Sequence, residues 1–215
     1  MKPFKETTPP SERQYYDVDF GEFGTIRGYL NPAYPEVVVM RGVPFMKPPV
    51  GDLRWRAPVI ERSSESYPRS QIIDGERVYI AETATPSCPN AFNAKPDITE
   101  DCTYLDIFVP QKAIENKERL KIFLYFHGGA FLGGSNKAIS PNKGSIIALE
   151  QNIVVVTANY RLGAFGFLFS SLLDDQIDKE HGLEYYDGKI TSGNQGLMDQ
   201  QMAMIWTGEF SKVRV

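Results

Sequence analysis

KIFLYFHGGAFLGGS, at residues 121–135, joins a continuous apolar run to a segment rich in glycine. The run at 121–126 predicts a β-strand that is covered on both faces. Glycine permits a tight turn and lets a ligand come close to backbone N–H groups, because no side chain screens them. We therefore expect a strand followed by a loop whose amides converge on one point, which is how an oxyanion hole is built.

Other interpretations of this loop follow from the same glycines. An ordinary turn after a strand is one of them, and the loop alone leaves it open. A phosphate-binding loop needs Gly, four residues and then Gly-Lys-Ser/Thr, but here Gly133 is followed by Gly134 and Ser135, without the lysine. The dinucleotide pattern GxGxxG does not occur in the chain. Nucleotide binding is therefore disfavoured.

The sequence on either side of the loop predicts an α/β fold. IVVVTANY at 153–160 is a second β-rich run, and the weakly amphipathic GSIIALEQ at 144–151 separates it from the first. A strand, helix, strand order is typical of parallel strands joined by a right-handed crossover. YLDIFV at 104–109 alternates like a half-buried strand, and GLMDQQMAMIW at 196–206 has apolar residues at helical spacing.

The N-terminal half is less regular. Short apolar runs between Tyr15 and Phe45 are broken by glycines and a proline, which predicts small antiparallel strands joined by turns. The segment from Lys47 to Asp97 holds many prolines and little periodicity, so most of it is expected to be ordered loop. Residues 1–14 are expected to form a disordered leader, and residues 15–215 a single domain.

Charge and hydropathy exclude several classes of partner. The net charge of the 215 residues is −4 and no run of Lys or Arg exceeds a pair, so neither nucleic acid nor an anionic membrane is expected. No apolar run approaches the roughly 20 residues that span a membrane. The first residues lack the apolar region of a secretory signal. Localisation stays undecided: cytoplasmic if the start is genuine, secreted if the N-terminus is incomplete.

Five segments of the chain resemble the type-B carboxylesterase and cholinesterase family, and they occur in the family's order. One match would be weak, whereas five in order are specific. The resemblance implies an α/β-hydrolase fold in truncated form: N-terminal antiparallel strands and the first part of a mostly parallel central sheet, before the nucleophile elbow. It covers the N-terminal portion of the family's catalytic domain only. The segments are RGVPFMKPPVGDLRWRAP at 41–58, EDCTYLDIFVP at 100–110, FHGGAFLGGS at 126–135, NYRLGAFGFL at 159–168 and GNQGLMDQQMAMIW at 193–206.

The resemblance assigns roles to residues of the glycine loop. Gly129 and Ala130 occupy the positions whose backbone amides stabilise the tetrahedral oxyanion, and Gly128 shapes the turn. His127 is similar to the histidine that supports this loop, which is not the family's catalytic histidine. His181 lies in a segment expected to be a surface insertion. The implied substrate is a small-molecule carboxylic ester, with no cofactor and no metal.

The resemblance also implies structural pairs. Cys88 and Cys102 fall where the family has its first disulfide, although two reduced thiols would be the alternative in an intracellular protein. A bridge would close a loop of about 15 residues. The ion pairs Arg54–Glu100 and Arg161–Asp199 match positions that lock the fold beneath the active-site gorge, with solvated surface pairs as the alternative.

Three phenylalanines lie within the matched segments: Phe131, Phe165 and Phe167. They could line an acyl or gorge surface, but core packing is the better expectation for most of them.

The family's nucleophile is not found in these residues. The chain contains no GxSxG motif, and neither histidine is at the catalytic position, so the chain alone is expected to be inactive. The strand at 153–160 is expected to lack a neighbour and to present a long apolar edge. The alternative to a serine esterase is a non-catalytic, neuroligin-like binding or adhesion relative.

Overall fold

The computed structural model describes residues 12–65, 67–91, 98–170 and 193–210. These residues form one mixed sheet of eight strands with helices packed against it. The strands are β1 (Tyr15–Asp19), β2 (Thr25–Asn31), β3 (Tyr34–Pro44), β4 (Ser70–Ile73), β5 (Glu76–Ile80), β6 (Tyr104–Pro110), β7 (Ile122–Phe126) and β8 (Val154–Ala158). The helices are α1 (Gln111–Glu115), α2 (Pro141–Gln151), α3 (Gly163–Phe167) and α4 (Gln195–Phe210).

The sheet has the order β4-β5-β2-β3-β6-β8-β7, and β1 pairs with β2. The pairs β1–β2, β2–β3, β3–β6, β4–β5 and β6–β8 are antiparallel. The pairs β7–β8 and β2–β5 are parallel. Helix α2 connects β7 to β8, as the strand, helix, strand order predicts. The small antiparallel strands predicted for the N-terminal region are confirmed, and the architecture is that of a truncated α/β-hydrolase fold.

Local sequence explains why α2 forms and how it packs on the sheet. Ser140 caps its N-terminus by accepting a hydrogen bond from the backbone N–H of Lys143, and a proline occupies the first turn. The helix ends at Gln151 and is capped by Asn152, which adopts the left-handed conformation. Position 144 requires glycine, because a Cβ there would lie 2.7 Å from the ring of Phe108 on β6. This close approach holds the crossover helix against the centre of the sheet.

Two details of the sheet differ from the sequence predictions. The segment expected to be mostly loop contains the hairpin β4–β5, whose turn is Asp74–Gly75 with positive φ at both residues. The prediction that the strand at 153–160 presents an unpaired edge is wrong, because β8 lies between β6 and β7. Within the described part of the chain it is β7 that ends the sheet, and its Phe123 is 43% exposed.

The described residues also bear on the chain's N-terminus and on membranes. Residues 1–11 of the expected leader lie outside the described ranges, as does His181. Arg13 is described, and its guanidinium lies 4.6 Å from the ring centroid of Tyr29 and 3.2 Å from a carboxylate oxygen of Glu82. The division into a leader and a domain stays a prediction. None of the helices in the described ranges combines the length and the hydropathy that crossing a bilayer demands.

Candidate active site

The glycine loop after β7 folds back on itself in a left-handed turn. Gly129, Ala130 and Phe131 have φ values of 125°, 53° and 61°. The carbonyl of Gly129 accepts hydrogen bonds from the N–H groups of Leu132 and Gly133, at 3.0 and 3.2 Å. A Cβ at position 129 would lie 2.1 Å from the carbonyl oxygen of Gly133, so only glycine fits there. Two successive non-glycine residues in this region mark a strained turn.

The residues of this turn carry backbone donors that lie at the surface of the described structure. Gly128, Gly129 and Ala130 are all exposed. Across the described ranges, none of their three N–H groups donates a hydrogen bond to another protein group. A backbone donor without a protein partner binds water or a ligand. The loop can therefore present several N–H groups to an anionic or partly charged oxygen.

The segment Asn159–Gly163, directly after β8, holds the loop in place; we call it the anchor segment. The hydroxyl of Tyr160 donates to the carbonyl of His127 at 2.8 Å, and the N–H of Gly163 donates to the carbonyl of Phe131 at 2.7 Å. The side-chain oxygen of Asn159 accepts from the N–H of Asn136, also at 2.8 Å. The loop is thus tied at its beginning, in its middle and just beyond its end.

His127 is a buried support for the loop. Its ring stacks on that of Tyr160 with a centroid distance of 4.5 Å, and its Nδ1 lies 2.9 Å from the carbonyl oxygen of Gly128. Burial lowers the pKa of His127 from its ordinary value of 6.5, and the hydrogen bond to Gly128 opposes this only in part. The ring is therefore neutral at pH 7, with Nδ1 donating to the carbonyl. Position 134 must be glycine, because a Cβ there would lie 2.5 Å from Nδ1.

The ion pair Arg161–Asp199 joins the anchor segment to α4. Nε and Nη2 of Arg161 donate to the two carboxylate oxygens of Asp199 at 2.8 and 2.7 Å, and the backbone N–H of Arg161 donates to the same carboxylate at 3.0 Å. Nη1 of Arg161 donates to the carbonyl of Arg56 at 2.8 Å. Both side chains are buried, at 3% and 0% exposed. Buried charges with this many partners fix the position of both elements.

The second predicted pair, Arg54–Glu100, lies at the surface. Its two hydrogen bonds measure 2.5 and 2.8 Å, and the side chains are 40% and 24% exposed. The next residue, Trp55, links this pair to the site, because its Nε1 donates to the carbonyl of Ala164 in α3 at 3.0 Å. The two pairs therefore share bidentate geometry and differ in burial.

Cys88 and Cys102 form a disulfide, with their Cα atoms 5.0 Å apart. Both residues are buried and pack with Tyr160 and Leu162 of the anchor segment. The bridge thus ties the loop before β6 to the residues that hold the glycine turn.

A buried ion pair escaped the sequence analysis. Arg41 on β3 lies 3.3 Å from Asp106 on β6, with the two side chains 6% and 2% exposed. Asp106 also accepts from the N–H of Gly42, at 2.9 Å, where a β-bulge interrupts the pairing of the two strands. The signal was present, since an aspartate in the middle of YLDIFV needs a partner when its strand is buried.

The three phenylalanines within the matched segments are not core residues, and the expectation of core packing for most of them is wrong. Phe131 is 44% exposed, and Phe165 and Phe167 are half-buried. Because Phe131 has a positive φ, its side chain leaves the loop on the solvent side. Its ring contacts that of Phe167, with the centroids 4.8 Å apart, and both rings line an open groove of about 460 Å³ between the loop and α3.

The crossover of β7, α2 and β8 and the glycine turn after β7 are features of α/β-hydrolases. The chain belongs to the carboxylesterase family, whose sequence profile it matches over residues 17–210.

Named relatives and solved structures agree with this assignment. Thyroglobulin of Rattus norvegicus is 31% identical over 194 residues, which are 88% of this chain and 6% of that protein. The medium-chain fatty acyl-CoA hydrolase precursor of Anas platyrhynchos is 33% identical over 199 residues, 87% of this chain and 31% of the relative. EstA of Aspergillus niger superposes with a TM-score of 0.71 at 26% identity, covering 93% of this chain and 33% of EstA. PNB esterase gives a TM-score of 0.68 at 31% identity, covering 91% and 34%. The chain thus spans a minor part of each of these proteins.

Proposed function

We propose that this chain supplies the oxyanion loop of a serine carboxylesterase that hydrolyses small carboxylic esters through an acyl-enzyme. The observation that carries the proposal is the strained turn at Gly129–Phe131, beside which the N–H groups of the exposed residues Gly128, Gly129 and Ala130 have no protein acceptor in the described ranges. Strain held in place by surrounding contacts is a mark of functional sites. The chain belongs to the carboxylesterase family, and this membership supports ester hydrolysis as the reaction at the turn.

The proposed step is the attack of a serine hydroxyl on the ester carbonyl. As the new C–O bond forms, a general base takes the hydroxyl proton, the carbonyl π electrons move onto oxygen, and the N–H groups of Gly129 and Ala130 donate to the resulting oxyanion. When the carbonyl re-forms, the C–O bond to the alcohol breaks and the protonated base returns its proton to the leaving alcohol, which leaves the acyl-enzyme. Each such donor typically lowers the barrier by about 2.7 to 4 kcal/mol. Because Tyr160 and Gly163 already fix the turn, the donors need little reorganisation during the reaction.

His127 is not suited to be the base in this step. Its Nδ1 is engaged by the carbonyl of Gly128, and the residue is only 4% exposed, with its ring stacked against Tyr160, so its second nitrogen is not open to a substrate or a nucleophile. The 215 residues contain no GxSxG motif that would carry the nucleophile. We therefore propose that the chain by itself does not turn over esters, and that the nucleophile and its base come from outside these residues.

The first experiment uses the purified chain. We expect no hydrolysis of p-nitrophenyl butyrate above the buffer rate and no covalent labelling by a fluorophosphonate probe. Labelling of a single serine would contradict the proposal that the nucleophile lies outside these residues, because it would place an activated serine among them.

The second experiment tests the loop itself in a hybrid enzyme. Residues 17–210 replace the matching segment of PNB esterase, and hydrolysis of p-nitrophenyl butyrate is measured. We expect turnover, and we expect Gly129→Ala to lower kcat by about 100-fold or more through displacement of a donor. The matched control is Gly75→Ala, another glycine with positive φ, which lies in the turn between β4 and β5.

The outcomes of the hybrid experiment separate the proposals. Equal kcat values for the two glycine variants would contradict the assignment of the oxyanion loop. A folded hybrid that lacks turnover altogether would favour the non-catalytic binding relative.

A further inference from the structure

We propose that Tyr160 is a positioning residue of the oxyanion loop, which sets the direction of the Gly129 N–H by acting through His127. The inference rests on the proposed function, because it concerns a donor that the proposed step uses. Three contacts support it. They are the hydroxyl of Tyr160 on the carbonyl of His127, the ring of Tyr160 on the ring of His127, and Nδ1 of His127 on the carbonyl of Gly128.

Peptide geometry couples the carbonyls of the loop to its donors. A peptide group is planar and trans, so its N–H points opposite to its C=O. A contact that holds the carbonyl of one residue therefore also sets the direction of the N–H of the next residue. In this way the carbonyl of His127 sets the N–H of Gly128, and the carbonyl of Gly128 sets the N–H of Gly129.

Tyr160 acts on both of these peptides. Its hydroxyl donates to the carbonyl of His127 at 2.8 Å, which fixes the peptide between residues 127 and 128. Its ring lies 4.5 Å from the imidazole, with an angle of 18° between the planes, and holds the imidazole where Nδ1 lies 2.9 Å from the carbonyl oxygen of Gly128. That second hydrogen bond fixes the peptide between residues 128 and 129, which carries the Gly129 donor.

The donor of Ala130 is oriented in a different way. The carbonyl of Gly129 accepts hydrogen bonds from the N–H groups of Leu132 and Gly133, at 3.0 and 3.2 Å. Both donors belong to the loop itself, so the turn directs the N–H of Ala130 without a contribution from Tyr160. The two donors assigned to the oxyanion therefore respond differently to a change at Tyr160, and Ala130 serves as an internal reference.

The surroundings of Tyr160 hold its side chain in one position. The residue is 2% exposed, and its ring also meets Phe126 and Phe131 edge to face, with centroid distances of 6.4 Å in both cases. Burial raises the pKa of Tyr160 above its ordinary value of 10, so the hydroxyl stays protonated through neutral and mildly alkaline pH. The hydroxyl is therefore a permanent donor to the loop under the conditions in which an ester would be hydrolysed.

The first test measures the directions of the donors in the whole 215-residue chain, without any ester. Residual dipolar couplings of the backbone N–H groups in a weakly aligned NMR sample report these directions. Tyr160→Phe removes only the hydroxyl and keeps the packing, and we expect the coupling of Gly128 to change. Tyr160→Leu removes the ring as well, and we expect the couplings of both Gly128 and Gly129 to change. The coupling of Ala130 should stay the same in both variants.

The second test measures catalysis in the hybrid enzyme with p-nitrophenyl butyrate. Loss of one hydrogen bond in Tyr160→Phe is expected to lower kcat about fivefold, and loss of both in Tyr160→Leu about 25-fold, with KM unchanged. The affinity for a trifluoromethyl ketone, which the serine of the hybrid converts to an oxyanion, should fall by the same factors. A merely structural role would lower the melting temperature without separating kcat from KM.

The matched control for both tests is Tyr67→Phe. The hydroxyl of Tyr67 is also buried and donates to a backbone carbonyl, that of Met46, at 3.1 Å. We expect this variant to change neither the couplings of the loop nor kcat.

Several results would overturn the inference. These are an unchanged Gly128 coupling in Tyr160→Phe, an unchanged Gly129 coupling in Tyr160→Leu, a loss of activity that lies wholly in KM, or an equal loss in Tyr67→Phe. The two tests also separate this inference from the proposed function. Changed couplings beside a folded hybrid without turnover would support the positioning and contradict the esterase proposal, whereas unchanged couplings beside full turnover would contradict the positioning alone.

Discussion

Replacing Asp199 by asparagine tests whether the Arg161–Asp199 pair locks the anchor segment to α4. The substitution keeps the size of the side chain and removes its charge, which leaves the guanidinium of Arg161 buried at 3% exposure without a counter-ion. Removing one partner of a buried pair costs about 3 to 5 kcal/mol. The total free energy of unfolding of a domain is about 5 to 15 kcal/mol, so the loss is roughly 30 to 50% of a mid-range value of about 10 kcal/mol. We expect the melting temperature to fall by about 6 to 20 °C.

The assay is thermal unfolding followed by far-UV circular dichroism, since Trp55 lies beside Arg54 and its fluorescence would respond to the control variant directly. That control is Glu100→Gln, which removes a charge from a pair with the same bidentate geometry at the surface. We expect its unfolding midpoint to move far less than that of Asp199→Asn. Equal losses in the two variants would refute the reasoning, because burial would then make no difference to the energetic importance of a pair.

Three further predictions concern the loop and its supports. Gly129→Ala is expected to lower the melting temperature clearly, because the added Cβ meets a backbone carbonyl at 2.1 Å, whereas a Cβ at Gly128 meets nothing within 4 Å and Gly128→Ala should change it little. Reduction of the Cys88–Cys102 bridge, which closes a loop with a sequence separation of 14, is expected to lower the free energy of unfolding by about 3 kcal/mol in denaturant titrations. Because burial lowers the pKa of His127, the unfolded chain takes up a proton at a higher pH than the folded one. Stability should therefore fall as the pH drops below 6.5 toward the lower pKa of the folded state, and His127→Gln should reduce this slope.

Each of these predictions has a contrary result. Similar melting temperatures for the two glycine variants would mean that the turn tolerates a side chain at either position. No change on reduction would mean that the bridge constrains the unfolded chain little. An identical pH slope in His127→Gln would assign the proton uptake to other groups.

Local features of this protein could be predicted from its sequence, and the long-range ones could not. The run at 121–126, the glycine loop after it and the helix at 196–206 each carry their signal within a few residues, and all appear in the structure. The edge of the sheet was misplaced because the order of strands is set by pairing across the chain. β8 pairs with β6, which precedes it by almost fifty positions and runs antiparallel to it.

Side-chain direction was the second limit. Phe131 is a large apolar residue, which favours the core, but its positive φ directs the side chain toward solvent. The residue type alone does not predict a backbone conformation of this kind. The hairpin β4–β5 shows the opposite case, because the Asp-Gly pair between two β-rich runs is a recognised hairpin signal that the proline-rich surroundings obscured. The partner of Asp106 could not be identified without the sheet, although its need for one could.

The central claim is that the N–H groups of Gly129 and Ala130 converge on the oxyanion of an ester undergoing attack. The most direct measurement is the crystal structure of the hybrid enzyme after reaction with a fluorophosphonate, whose phosphonyl oxygen takes the oxyanion's place. We expect that oxygen to lie about 2.7 to 3.1 Å from both backbone nitrogens. An oxygen held by other donors, with the glycine turn unchanged and turned away from it, would contradict the claim.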